Sequence, residues 1–231
     1  MKLTFIIPMA LIMSITACKK EEATQVTEEE ATETMTNAIE GSNSGLAEQT
    51  TDAAEIATVL LESPICAISG DSIVHKTYSS ATRSLDYTFN WNWQAHCTSG
   101  IPTDITYNYT AVGEYETPKI KSNDNASATI VLTQLLITEE EFLANITYTR
   151  NGSQESKIGK TTSFTSTITA SGSDITINKE SHEVTGGILT LLITGSTDEG
   201  EGFEYGGNLV FNGGGSATIT LNNGSVFEIA V

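Results

Sequence analysis

Of the residues able to do chemistry along these 231 positions, histidines number only 3, while acids and hydroxyls are many and fall in no catalytic spacing. His75, His96 and His182 stand far apart, and no two share the spacing that places a pair of imidazoles on one helix face. Glu180 and His182 fall on one face of an extended segment, as surface polar pairs routinely do. Asp198-Glu199-Gly200-Glu201-Gly202 is an acidic, glycine-rich turn of the kind that can offer oxygens to calcium, but it lacks the ligand spacing of a calcium loop. Ser72 lies in Gly70-Asp71-Ser72-Ile73. An attacking serine needs a base within hydrogen-bond reach, and the surrounding residues supply no sign of one. These observations predict no catalytic residue, no metal and no cofactor.

Cys18 carries more information. Residues 1–17 hold one lysine, an apolar run and small residues before the cysteine, the anatomy of a secretory signal peptide. The apolar run, about 15 residues, is short of the ~20 that span a bilayer, and Lys19-Lys20-Glu21-Glu22 follows at once. Ile15-Thr16-Ala17-Cys18 resembles the lipobox of bacterial lipoproteins. The resemblance implies cleavage before Cys18, lipid on its sulfur and new amino terminus, and an outer-membrane anchor in the cell envelope. The acidic run after Cys18 loosely resembles the surface-export signal of Bacteroidota lipoproteins, which leaves the periplasmic and surface faces both open.

With Cys18 lipidated, Cys66 and Cys97 remain, and two thiols in an oxidising compartment are expected to pair. The loop of about 30 residues that they close stabilises by ~3–4 kcal/mol in the chain-entropy picture. The formal net charge of −18 argues against nucleic acid and against broad contact with anionic headgroups. The membrane is therefore a partner through the anchor alone, beside an unidentified protein, glycan or lipid ligand.

Four segments follow from composition: a signal peptide over 1–17, a lipidated tether over 18–27, a helical segment over 28–62 and an antiparallel β domain over 63–231. Thr27 and Glu30 have capping-box spacing, and Ala31, Met35, Ala38 and Ile39 form a stripe at helical period. Gly41-Ser42-Asn43-Ser44-Gly45 breaks it. Asp52 and Glu55 repeat the cap spacing before a second apolar stretch, which Pro64 stops. Beyond Cys66 the chain turns rich in Thr, Ile, Val and aromatics. Residues 85–94 alternate without a break, large apolar residues at odd positions and polar ones at even. Ile105 to Ala111 and Phe142 to Tyr148 repeat that pattern, and 188–193 reads as apolar on both faces. Asn151-Gly152 and Asn222-Asn223-Gly224 read as tight hairpin turns. About ten strands with short connections imply a mainly β, antiparallel meander, barrel-like or sandwich, with one or two short amino-terminal helices packed on it. On strand parity Cys97 points toward the core unless a bulge intervenes.

Two surfaces remain as candidates. Tyr87, Trp91, Trp93, Tyr107 and Tyr109 form an aromatic row that is either core or, if uncovered, a platform for sugars or the lining of an apolar pocket. Gly70-Asp71-Ser72-Ile73 resembles the first block of GDSL-type esterases and the Gly-Asp-Ser of trypsin-like proteases. Lys179 in place of an aspartate before His182, and Ile73-Val74 in place of glycines, break both resemblances. Asp71-Ser72-Ile73 also matches the O-glycosylation consensus of exported Bacteroidota proteins, which makes Ser72 a candidate glycan site. The whole pattern resembles Bacteroidota lipoproteins that join a helical segment to a β-rich domain with one disulfide, a resemblance that implies no activity. It predicts a non-enzymatic, lipid-anchored binding or scaffolding protein. The alternatives are a carrier with an aromatic-lined cavity and, third, an envelope hydrolase.

Overall fold

The computed structural model describes residues 25–62, 66, 68–158 and 163–231. Cys18 and the anchor segment lie outside them. Helix α1 (Glu28–Ile39) starts on the capping box that the sequence suggests. The Thr27 hydroxyl accepts from the Glu30 N–H, and the Glu30 carboxylate accepts from the Thr27 N–H at 2.8 Å. Helix α2 (Leu46–Leu61) begins six residues before the predicted cap at Asp52. Gly45 is its N-cap because the chain turns hard against the end of α1: a Cβ there would meet Ile39 and Ala38 backbone atoms at 2.7–2.8 Å. Asp52 instead faces Lys76 from within α2.

The rest is mainly strand and all antiparallel. The strands are β1 (Ser69–Ser79), β2 (Ser84–Thr98), β3 (Ile101–Glu116), β4 (Ile120–Thr133), β5 (Glu141–Ser156), β6 (Ser163–Asn178), β7 (Val184–Gly186), β8 (Ile188–Thr197), β9 (Gly202–Gly213), β10 (Ser216–Leu221) and β11 (Val226–Ala230). They form one sheet in chain order, with β7 a side pairing on β6. It is an open meander, not a closed barrel: among the described residues β1 pairs only with β2, and β11 only with β10.

Period-two alternation runs through strand after strand, so one face of the sheet is apolar and buried. The two helices fill the curl of that face. Ala31, Met35, Ala38, Ile39, Leu46, Ala53, Ala54 and Ala57 are buried in the same cluster as the inward residues of β2 to β11. Contacts from the helices reach both ends of the sheet. Lys76 on β1 binds Glu48 and Asp52 at 2.9 and 2.8 Å. The Tyr205 hydroxyl on β9 donates to the Val26 carbonyl at 2.7 Å, and Asn223 and Ser225, between β10 and β11, hold Glu28.

Two local expectations change. Asn151-Gly152 lies inside β5 and makes no turn. β8 presents Ile188 and Leu192 outward, so 188–193 is half-exposed and not buried on both sides. Cys97 sits half-buried near the end of β2; the β2–β3 register shift beside it skips Thr103 on β3, so β2 keeps its own parity there. The Asn222-Asn223-Gly224 turn forms, with Gly224 at φ 93°.

Candidate functional site

The disulfide joins Cys66 to Cys97 with a Cα–Cα distance of 5.5 Å. Their numbers continue the β1–β2 register, in which Ser69 opposes Gln94. The bond therefore clips the entrance of β1 onto β2, as a directly opposed antiparallel pair permits.

The aromatic row lies on the inner face. Tyr87, Trp91, Tyr107 and Tyr109 are buried, and Trp93 is half-buried toward the rim. Phe89, Trp91, Tyr107 and Tyr109 pack ring against ring at centroid distances of 5.0–6.5 Å. Burial raises the phenol pKa values of Tyr87, Tyr107 and Tyr109. This is what aromatics do in a closed core.

At the end of this row is a polar cluster that the sequence reading missed. Across β2 to β9 one inner row runs Tyr87, Gly113, Asp124, Gly152, Ser166, Gly195, Phe203. Glycine recurs at every second place because its neighbours lie across it. A Cβ on Gly113 would stand 2.5 Å from the Tyr87 ring, and one on Gly152 would stand 2.1 Å from the Asp124 carboxylate. Tyr87 thus reaches over Gly113 and donates to Asp124 at 2.8 Å. Arg150 on β5 pairs with the same carboxylate. It also donates to the Tyr87 hydroxyl at 2.7 Å and to the Asn37 carbonyl at 3.1 Å. Asn37 is in the last turn of α1, whose carbonyls lack helical partners and whose own sequence provides no base. Burial alone would lower the Arg150 pKa, and the Asp124 carboxylate together with Tyr87, Tyr148 and Tyr115 outweighs it, so Arg150 is held more firmly charged than usual. Ser122 donates to Asp124 at 2.7 Å, and the Gln154 amide lies 3.0 Å from Ser122. Arg150 and Asp124 are 5% and 6% exposed. The arrangement locks α1 to the sheet and leaves no open atom for a substrate.

The other candidates do not converge. His75 meets Asp86 at 2.8 Å, His96 meets Asp104 at 2.6 Å, and His182 meets Thr58 on α2 at 3.0 Å, in three separate places. Among the described residues no group of three or more His, Cys, Asp or Glu could hold a metal. Ser72 is exposed on β1, opposite Trp91.

The largest coherent surface is the outer face. One row there crosses eight strands: Asn92, Asn108, Thr129 and Thr147, then Ser171, Thr190, Asn208 and Thr220. Hydrogen bonds run along it, Asn108 to Asn92 at 3.3 Å and Thr129 to Asn108 at 2.8 Å. A second row passes through Asn125, Asn151, Thr167 and Thr194, with Thr167 donating to Asn151 at 2.8 Å. Around it lies a shallow hollow of about 370 Å³ lined by asparagine, serine, threonine and glycine. Neither row carries a charge over these positions, in a chain of net charge −18. Charges flank the rows on the same face: Asp71 opposes Asn92, Glu204 opposes Thr194, and Asp86 and Glu114 stand in the row next to the second.

Comparison of the chain with protein-family models, with curated proteins and with solved structures finds no match.

Proposed function

We propose that this is a lipid-anchored cell-envelope protein that binds without chemical turnover, and that its outer sheet face docks an uncharged glycan. The eight-strand row of amides and hydroxyls carries the reading. Asn, Thr and Ser each offer both a donor and an acceptor, the pairing that a sugar hydroxyl needs. Rows that carry no charge along their length impose little desolvation cost on a neutral polymer, and a sheet fixed from behind by two helices is a pre-ordered surface. A carrier for an apolar ligand would have to use the inner aromatic row, and the burial of Trp91 and Tyr107 favours the outer face instead. An envelope hydrolase would need a base beside a nucleophile, and Ser72 has no histidine bonded to it among the described residues.

The test is co-sedimentation of the full-length protein with chitin, cellulose and starch granules, all neutral polymers. Binding to at least one of them, lost in Asn108→Glu and Thr167→Glu variants that still fold, is the expected result. Absence of binding to every polymer, or binding that both variants retain, refutes the glycan face. The anchor is tested separately: Cys18→Ala is expected to leave the membrane fraction or stall before maturation, and unchanged membrane retention refutes it.

A further inference from the structure

The tripeptide Asn-Gly-Ser occurs twice in the chain, at 151–153 and 223–225. The fold treats the two copies differently. Asn151-Gly152-Ser153 lies inside β5, paired with β4 on one side and β6 on the other. Asn223-Gly224-Ser225 forms the tip between β10 and β11, outside either strand. A third Asn-Gly pair, Asn212-Gly213, ends β9, where the Asn212 amide donates to Thr218 at 2.9 Å.

An asparagine followed by glycine is a reactive pair. The glycine nitrogen can attack the asparagine side-chain carbonyl, because glycine has no Cβ to keep the amide away. In an extended strand the two groups point apart, and bringing them together means breaking ladder bonds. At a hairpin tip little has to open. The Gly224 N–H makes one turn bond, to the Leu221 carbonyl at 2.9 Å. The Asn223 side chain is also primed. Its Oδ1 accepts from the Ser225 N–H at 3.0 Å, which polarises the carbonyl and steadies the charge that attack places on that oxygen. Its Nδ2 donates to the Glu28 carboxylate at the start of α1.

We propose that Asn223 is a self-modifying site whose conversion unfastens the start of α1. The Gly224 nitrogen bonds to the Asn223 side-chain carbonyl carbon. The bond from that carbon to Nδ2 breaks, and ammonia leaves with the proton that the Gly224 nitrogen gives up. The product is a cyclic succinimide. Water, the only co-reactant, opens it at either carbonyl, to aspartate or to isoaspartate. Either product puts an acceptor-only carboxylate in place of a donor. It faces the Glu28 carboxylate, so an attraction becomes a repulsion. Among the described residues the Ser225 hydroxyl, at 2.8 Å, is then the one donor left to Glu28. This inference is independent of glycan binding.

Incubation of the full-length protein at mildly alkaline pH, followed by peptide mapping by mass spectrometry, tests it. Each conversion adds the mass difference between a hydroxyl and an amine, and chromatography separates isoaspartate from aspartate. Asn223 is expected to convert faster than Asn151 by about tenfold or more, since opening a hairpin tip costs less than opening a mid-sheet strand. In urea, with the fold lost, the two identical tripeptides are expected to convert at similar rates. Asn223→Asp imitates one product at an exposed position, so folding is spared. It is expected to raise hydrogen exchange of the α1 amides over 30–35 several-fold while the β5 amides stay protected. Equal native rates at Asn223 and Asn151, a lead for Asn223 that persists undiminished in urea, or unchanged α1 exchange in Asn223→Asp would overturn the proposal.

Discussion

The two faces of this sheet carry polar groups on opposite terms. Inside, Arg150, Asp124 and Tyr87 are fully committed to one another and to the end of α1. Outside, Asn92, Asn108, Thr129 and their row mates bond across strands yet keep spare donors and acceptors toward water. The same alternating strands produce both. A polar residue turned inward becomes structure because it must be satisfied where water cannot reach it. One turned outward stays available. Position on the pleat, more than residue type, decides which side chains can take part in recognition.

High pH breaks the contrast most severely. Burial raises the Tyr148 pKa to about 12 and lifts those of Tyr87, Tyr107, Tyr109 and Tyr115 further. In the unfolded chain these phenols lose their protons near pH 10. Above that pH the unfolded state binds fewer protons than the folded one, so stability falls as pH rises, by about 1.4 kcal/mol per pH unit for each tyrosine. Cooperative unfolding between about pH 10 and pH 12 is expected, seen as a joint loss of circular dichroism and rise of tyrosinate absorbance. Gradual titration near pH 10 with the fold intact would show that water reaches the inner face.

The next largest effect comes from unpairing the inner cluster. Asp124→Ala strands a buried guanidinium, at an expected cost of ~3–5 kcal/mol in urea denaturation. Asp124→Ala combined with Arg150→Met is expected to recover much of it, since no charge is left unpaired. A double variant as unstable as the single one would mean that the cluster holds α1 through shape alone. Gly152→Ala pushes a methyl into the Asp124 carboxylate and is expected to cost ~1–3 kcal/mol. On the outer face the expected stability changes are smallest. Asn151→Ala should stay within about 0.5 kcal/mol of the native protein while weakening polysaccharide co-sedimentation. A large loss of stability there would erase the distinction between the faces.

Much of the fold was legible in the residues, and the limits have physical causes. The Thr27–Glu30 cap, the strand over 85–94 and the Asn222-Asn223-Gly224 turn follow from local chemistry, and they form as expected. The readings at Asp52 and Asn151-Gly152 failed where a distant element decides the conformation. Gly45 starts α2 because α1 ends against it, and Gly152 sits mid-strand because Asp124 needs its space. Arg150 left a signal that went unread. It continues the inward parity of Phe142, Ala144, Ile146 and Tyr148, so a charge was due to be buried and needed a partner. That the partner is Asp124 depends on register, which no local pattern encodes. The outer rows are likewise a product of register, since Asn92 and Thr220 become row mates only through six intervening strands.

The meander also dictates an order of assembly. Almost every strand pairs with its immediate successor, so the sheet can zip from hairpin to hairpin with short loop closures. The helices are different. They emerge from the ribosome first, yet their contacts reach across the whole chain: Asn37 waits for Arg150, Val26 for Tyr205, and Glu28 for Asn223 and Ser225. β4 and β7 can receive the helices earlier, but the start of α1 gains its Glu28 contacts only when the last hairpin forms. One of the first parts of this domain to be made is thus sealed by the last.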